Sequence, residues 1–188
     1  MRARQTPSQT VGPFFKPSLI HAGAENLVRS ETRGDRITIE GRVIDGDGAP
    51  VADAMIEIWQ ANADGRYDHH VDNQEKVLDP NFHGWGRVAT DADGGFKFHT
   101  IKPGAVPGQN GALQAPHINL SIFARGLLKR LVTRIYFSNE PLNTTDAVLN
   151  AVPRERRETL IAKAQPDRSS LRFDIILQGA GETVFLDV

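Results

Sequence analysis

Short runs of alternating apolar and polar residues recur along most of this chain. The clearest runs are Ile37–Val43 and His117–Ala124. Further runs of strand character lie at 51–59, 96–98, 130–137, 171–177 and 183–186. A period of two places successive side chains on opposite faces of a β-strand. The pattern therefore predicts an all-β protein, and many short strands joined by Asp/Gly turns favour a β-sandwich.

Three stretches depart from the strand pattern. Residues 6–17 contain three prolines and a glycine, which predicts an irregular, extended N-terminal arm. Residues 144–163 are predicted to include a helix that begins after Pro153, because proline suits the first helical position. Between Tyr67 and Trp85 runs a long polar loop, and a loop of this length indicates a functional role or an interface.

Composition limits the range of possible functions. The 188 residues predict a single domain, 1–188, with an arm and lead-in at 1–35 and a sandwich core at 36–188 that carries the helical insertion at about 144–163. With 22 basic and 23 acidic residues, no positive surplus indicates binding to nucleic acid or to a membrane surface. The absence of cysteine excludes disulfides and thiolate chemistry. No apolar leader follows the N-terminus, so we expect a cytoplasmic protein.

The strand that contains His117 and Asn119 is the strongest candidate for a functional site. The two residues are two positions apart and therefore share one strand face, while Ile118, Leu120 and Ile122 form the apolar opposite face. The spacing is typical of paired metal ligands, but asparagine is a poor ligand for a transition metal. Taken alone, the pattern also fits a satisfied histidine in a core or cleft.

The polar loop contains a second group of potential ligands. His69, His70, Asp72, Asp79 and His83 lie close together in the sequence, but no metal-ligand spacing links them. We therefore interpret them first as residues of a surface loop.

Several motifs together resemble the intradiol ring-cleaving dioxygenases over nearly the whole chain, from about Thr6 to Val188. They are Thr-Pro-Ser-Gln-Thr-Val-Gly-Pro-Phe-Phe at 6–15, the stretch 45–67, Asp-Pro-Asn-Phe at 79–82, Thr-Ile-Lys-Pro-Gly at 100–104, Pro-His-Ile-Asn at 116–119 and the C-terminal segment 179–188. The C-terminal segment resembles that of the non-catalytic α subunits of the family. The resemblance implies a β-sandwich and an oxidoreductase.

In working members of this family two tyrosines and two histidines hold ferric iron. The resemblance places Tyr67, Val106, His117 and Asn119 at those four positions, so only one tyrosine and one histidine are kept. An arginine expected three positions before the first histidine is matched by Gln114. The resemblance therefore implies a vestigial site, with no metal ligand set and no catalytic residue in this chain alone.

The resemblance also implies a partner chain. A homologous β subunit would carry the Fe(III), and α/β pairs would assemble further. The pair would cleave a small catechol acid, 3,4-dihydroxybenzoate, with dioxygen to 3-carboxy-cis,cis-muconate.

Four residues would form part of the substrate pocket: Thr10, Gly12, Pro13 and Arg125. Six residues beyond Asn119, Arg125 would lie about 20 Å away at about 3.3 Å per residue. It is therefore expected to reach across an interface toward an aromatic carboxylate.

Two alternatives stay open at this point. One is a self-sufficient dioxygenase that rebuilds its iron site from Tyr67, His117 and a loop histidine such as His83. The other is a transthyretin-like carrier without enzymatic activity, because Asp-x-x-Gly-x-Pro-Val strands also occur in that fold.

Overall fold

The computed structural model describes residues 5–12, 15–167 and 169–187. The strands in these ranges are β1 Arg36–Ile44, β2 Met55–Trp59, β3 Trp85–Ala89, β4 Gly95–Ile101, β5 Val106–Pro107, β6 Leu113–Gln114, β7 His117–Phe123, β8 Leu131–Phe137, β9 Ile161–Ala164, β10 Ser170–Arg172 and β11 Ile175–Ile176. The helices are short: α1 Phe15–Leu19, α2 Ala147–Ala151, and 3₁₀ turns at Gln109–Gly111, Pro141–Thr144 and Arg154–Leu160.

The strands form one nine-stranded sheet and one small ribbon. The sheet runs in the order β11-β1-β10-β9-β8-β7-β2-β3, and β4 pairs antiparallel with β1 from Arg36↔Ile101 to Arg42↔Gly95. Strands β5 and β6 pair only with each other. Within the described residues no helix has the length and apolar content needed to cross a bilayer.

The sheet folds over a single main core. Ile39 of β1 and Phe98 of β4 belong to the same buried cluster as Ile58 of β2 and Ile118 of β7. The alternation in β7 is visible in its burial, since Ile118, Leu120 and Ile122 are buried as predicted. This arrangement confirms the predicted all-β sandwich.

The predicted helix at 144–163 is wrong in its extent. The segment consists of α2, the 3₁₀ turn Arg154–Leu160 that follows Pro153, and strand β9. Strand β9 pairs in parallel with β8, and Ala162 is fully buried. The burial gained by adding a strand to the sheet outweighs helix propensity here, because propensity is a weak preference that tertiary packing overrides.

The other strand predictions are mostly confirmed, but the predicted run at 51–59 is a strand only from Met55, and the short strands β5 and β6 were not predicted. The run 171–177 is interrupted because Asp174 Oδ1 accepts a hydrogen bond from Arg42 N at 2.8 Å, in place of a ladder carbonyl. The run 183–186 is not a regular strand, although Leu186 N donates to Val132 O at 2.7 Å. Strand β3 was not predicted, since Gly86 and Arg87 obscure its alternation.

Candidate functional site

Three parts of the fold carry the candidate metal positions: strand β7, the β5–β6 ribbon and the long polar loop. Strand β7 presents His117 and Asn119 on its polar face, as its period of two predicts. The β5–β6 ribbon pairs Val106 with Gln114. Tyr67 comes from the start of the long polar loop, and its ring stacks on Trp59 of β2 with centroids 5.6 Å apart and planes 15° apart.

These elements line a cavity of about 550 Å³ that is open to solvent. Its lining combines aromatic, aliphatic and polar side chains: Trp59, Tyr67, His69, Val71, Asp72, Asn73, Gln74, Val106, Pro107, Gln114, His117 and Arg134. The structure therefore places Tyr67, Val106 and His117 around one space, with Asn119 held beside it by contacts to Trp59 and Arg134. Three of the four positions thus line one cavity, their assignment as a vestigial iron site stays a prediction, and the sequence interpretation missed Arg134.

His117 is buried with one ring nitrogen unused. Its side chain is only 2% exposed, and Nδ1 lies 2.7 Å from the carbonyl oxygen of Ala115. Because a carbonyl only accepts, Nδ1 carries the proton and donates it, which leaves Nε2 as a hydrogen-bond acceptor. Nε2 is buried and has no partner among the described residues. Burial, followed by the positive charge of Arg134, lowers the pKa of His117 to about 4, so the ring is neutral at pH 7.

Tyr67 is protonated for a related reason. Burial raises the pKa of Tyr67 above its usual value, while Arg134 and Asn119 partly oppose this shift. The side chain is therefore a neutral phenol rather than a phenolate in this environment.

Arg134 sits at the centre of the polar contacts. It lies opposite Asn119 in the β7–β8 pairing, and its Nε donates to Asn119 Oδ1 at 3.1 Å. Its Nη1 donates to Gln114 Oε1 at 2.8 Å and contacts the Tyr136 hydroxyl at 3.4 Å. Each of these direct partners is neutral, so no carboxylate within the described residues pairs with this guanidinium.

A second layer holds this network in place. The Tyr136 hydroxyl donates to Asp146 Oδ1 at 3.1 Å, and Asp146 Oδ2 accepts from Ala115 N at 2.8 Å. Burial raises the pKa of Tyr136 to about 12, so its hydroxyl keeps its proton. Asp146 is fully buried and also caps α2 by accepting from Leu149 N at 2.8 Å.

The residues at this site do not fit a ferric ion. Val106 offers no donor atom, and the Asn119 carbonyl oxygen is already bonded to Arg134. The fixed positive charge of Arg134 repels a trivalent cation, which needs anionic ligands. Among the described residues no group of three or more His, Cys, Asp or Glu side chains has the geometry of a metal site.

The loop histidines do not complete the ligand set. His83 Nδ1 lies 2.6 Å from Asp68 Oδ2, and His83 does not line the cavity. His69 does line it, but its ring neighbours His70 and Trp59. Asp79 is buried and accepts from Arg33 N at 2.9 Å. The alternative of an iron site rebuilt from Tyr67, His117 and His83 has no support in this geometry.

The proposed pocket residues lie in a different region. Gly126 N donates to Thr10 Oγ1 at 2.8 Å, so the N-terminal arm docks directly beside Arg125. The rings of Phe15 and Phe123, 6.0 Å apart, add an aromatic contact between α1 and the end of β7. The Arg125 side chain is 82% exposed and, among the described residues, forms an ion pair with Asp53 at 3.3 Å.

The remaining two predicted positions are less constrained. Gly12 is exposed, and a Cβ at this position would meet nothing within 4 Å. Pro13 lies outside the described residues.

The chain is similar to proteins of one family throughout its length. A family model described as Dioxygenase matches residues 11–179. The protocatechuate 3,4-dioxygenase alpha chain of Pseudomonas putida is 42% identical over an alignment of 198 positions that covers 97% of this chain and 96% of the relative. The protocatechuate 3,4-dioxygenase beta chain of Burkholderia cepacia is 42% identical over an alignment of 174 positions that covers 88% of this chain and 74% of the relative.

A solved structure of similar fold is the dioxygenase domain of a dioxygenase carbohydrate-binding protein fusion from Streptomyces sp. SirexAA-E. It is 32% identical, with a TM-score of 0.66 and coverage of 94% of this chain and all of that domain. These relatives are named as dioxygenases, so the alternative of a transthyretin-like carrier is not supported.

Proposed function

Because the chain belongs to the intradiol ring-cleaving dioxygenase family, we propose that it is the α subunit of a protocatechuate 3,4-dioxygenase. The observation that carries the proposal is Arg134, whose guanidinium bonds to Asn119 and Gln114 beside the place where a working family member needs metal ligands. A chain with this arrangement depends on another subunit for the chemistry. Its similarity to both alpha and beta chains supports such a pairing.

The proposed pair cleaves 3,4-dihydroxybenzoate between its two hydroxylated carbons. Both atoms of dioxygen enter the product, 3-carboxy-cis,cis-muconate, so no other oxidant is required. The family is iron-dependent, and we assign the Fe(III) to the homologous β subunit, where it would bind and activate the catechol. We expect the α/β pairs to form higher oligomers and, given the lack of cysteine, to work in the cytoplasm.

This chain's share in the proposal is one wall of the substrate pocket. The charge of Arg125 contributes little to its own fold, since its ion pair with Asp53 in the described part of the chain is exposed and such pairs add little stability. A guanidinium at an interface suits a carboxylate, and 3,4-dihydroxybenzoate carries one. Thr10, Gly12 and Pro13 would complete the wall, and the free space around Gly12 lets a ligand approach its backbone.

The decisive experiment is expression with and without a homologous partner that carries a complete ligand set. We expect the chain alone to contain no stoichiometric iron and to leave 3,4-dihydroxybenzoate intact. The co-purified complex should contain one iron per α/β pair and cleave the ring. Tightly held iron in the isolated chain, or a partner that is fully active without this chain, would contradict the proposal.

The role of Arg125 is tested in the assembled complex. We expect Arg125→Ala to raise the KM for 3,4-dihydroxybenzoate by about tenfold with iron content unchanged, because one charge-assisted contact to the carboxylate is lost. Arg33→Ala is a matched control, since Arg33 is also an exposed arginine with one ion pair, to Asp64 at 3.1 Å. Equal kinetics for the Arg125 variant and the control would refute the assignment.

A further inference from the structure

The cavity around His117 has the features of a binding site that needs no metal. We propose that it binds a small phenol that carries an anionic group, with the hydroxyl bonded to His117 and the anion facing Arg134. The inference rests on this chain's own residues and holds whether or not a partner subunit cleaves rings.

His117 defines the first requirement of the ligand. Its Nε2 is a buried acceptor without a partner in the described part of the chain, and it belongs to a residue that lines the cavity. Buried polar atoms in native proteins are nearly always hydrogen-bonded, so an unpaired one at a cavity wall indicates a missing donor. Because Nδ1 already donates to Ala115, Nε2 can only accept. The ligand must therefore offer an O–H or N–H group.

Arg134 defines the second requirement. Its Nε and Nη1 contact Asn119, Gln114 and Tyr136, whereas its Nη2 has no hydrogen-bond partner among the described residues. A guanidinium whose direct partners are all neutral attracts an anion, and its planar fork suits a carboxylate. The carboxylate of Asp72 also lines the cavity and is held by hydrogen bonds from Tyr67 N and from Gln74, so it repels an anion from its own position.

The shape and lining of the cavity define the third requirement. About 550 Å³ is far more than a simple oxyanion fills and lies in the range of small-molecule sites. Trp59 and Tyr67 are stacked on each other, and together with Val106 and Pro107 they give the cavity an apolar, flat-sided part. A planar aromatic ring suits such walls. Together the three requirements describe a hydroxybenzoate-like ligand.

The chain contains a built-in reporter for binding. It has two tryptophans, Trp59 in the cavity wall and Trp85, which does not line this cavity. In the Trp85→Phe variant all tryptophan fluorescence comes from Trp59, so a change in this signal reports ligand binding in the cavity. We expect 4-hydroxybenzoate, added to the full-length chain, to change this fluorescence in a saturable way at one equivalent per chain.

Ligands and variants can then be compared in a cycle. On the unmodified cavity, benzoate should bind about five- to tenfold more weakly than 4-hydroxybenzoate because it lacks the donor for His117. In His117→Leu this difference should disappear. Arg134→Gln should weaken both acids by about tenfold or more and leave phenol, which has no anionic group, almost unchanged.

The cycle separates a binding site from a merely structural cavity. The benzoate comparison needs no variant of His117 or Arg134, so it remains decisive even where those variants unfold. Absence of saturable binding would overturn the proposal and leave water as the partner of Nε2. Equal affinities for 4-hydroxybenzoate and benzoate on the unmodified cavity would overturn the assignment of His117, and equal losses for phenol and the acids in Arg134→Gln would overturn that of Arg134.

Discussion

The two ends of strand β7 differ in how the chain uses its polar residues. At the start of the strand, the His117 side chain is 2% exposed, and its Nδ1 donates a hydrogen bond to the backbone carbonyl of Ala115. Two residues beyond the other end, Arg125 is 82% exposed and held by one ion pair to Asp53. The first end is enclosed by the chain itself, whereas the second presents its charge outward. Under the proposed function, the first end corresponds to the vestigial metal site and the second to the group that contacts the substrate.

The two arginines near this strand make the same contrast in electrostatic terms. Arg134 makes three polar contacts, and all three partners are uncharged. Arg125 pairs with Asp53 at the surface, where solvent and salt reduce the strength of the ion pair. Substitutions near Arg134 should therefore change the free energy of unfolding, whereas substitutions near Arg125 should change the KM for the proposed substrate.

The largest effect should come from the carboxylate that supports the enclosed end. Asp146 is fully buried and accepts hydrogen bonds from Ala115 N, Leu149 N and the Tyr136 hydroxyl. We expect Asp146→Ala to lower the free energy of unfolding by about 4 kcal/mol, because it leaves buried donors unpaired and removes a helix cap. Urea denaturation of the isolated chain measures this change.

Asp167→Ala provides the matched control. Asp167 also accepts from two backbone N–H groups, those of Ser169 and Ser170, but it is exposed. Its replacement should lower the stability far less than Asp146→Ala does, since water can satisfy the freed groups. If both variants lost the same stability, the enclosed network would have no special role in the fold.

The second prediction concerns acid, and it depends on the low pKa of His117. The pKa of His117 is about 4 in the folded chain, below the usual value of about 6.5. Between these two pH values His117 is protonated in the unfolded chain and neutral in the folded chain. Stability from this group is complete above pH 6.5 and is lost as the pH falls toward 4, by at most about 3 kcal/mol. The groups that face the ring are Arg134, Tyr136 and Asp146.

The test compares the pH dependence of unfolding in two chains. His117→Gln should be less stable than the unmodified chain at pH 7, but its stability should decline less between pH 6.5 and 4. The difference between the two curves isolates His117 from the other acid-sensitive groups. Parallel curves would mean that the ring is already hydrated in the fold.

The sequence predicted one side of the cavity and missed the other. The placement of His117 and Asn119 on the polar face of β7 follows from the period of two, which is a local property. Arg134 could not be found in this way, because its position opposite Asn119 depends on the register between β7 and β8. Register is set by tertiary pairing, and a shift of one residue would turn Arg134 to the other face.

The wrong helix at 144–163 has the same origin. Its charged pattern after Pro153 satisfies helix rules over only one 3₁₀ segment, Arg154–Leu160. Beyond this segment, Ile161 and Ala162 pair with β8, and no local sequence pattern predicts this pairing. Local periodicity thus predicted the fold class, whereas contacts between distant segments decided both this element and the charge in the cavity.

The smallest effect is predicted at the exposed end of β7, where the N-terminal arm docks. Thr10 Oγ1 accepts the 2.8 Å hydrogen bond from Gly126 N, which docks the N-terminal arm beside Arg125. We expect Thr10→Val to change the free energy of unfolding by less than about 1 kcal/mol, because the bond is exposed and joins a terminal arm to a turn.

In the assembled complex the same variant should raise the KM for 3,4-dihydroxybenzoate about threefold with iron content unchanged, since the arm is less well positioned. Thr10→Ser keeps the acceptor and should restore the original KM. A Ser variant as impaired as the Val variant would indicate that Thr10 contributes its methyl group rather than this bond, and an unchanged KM in both would remove Thr10 from the pocket wall.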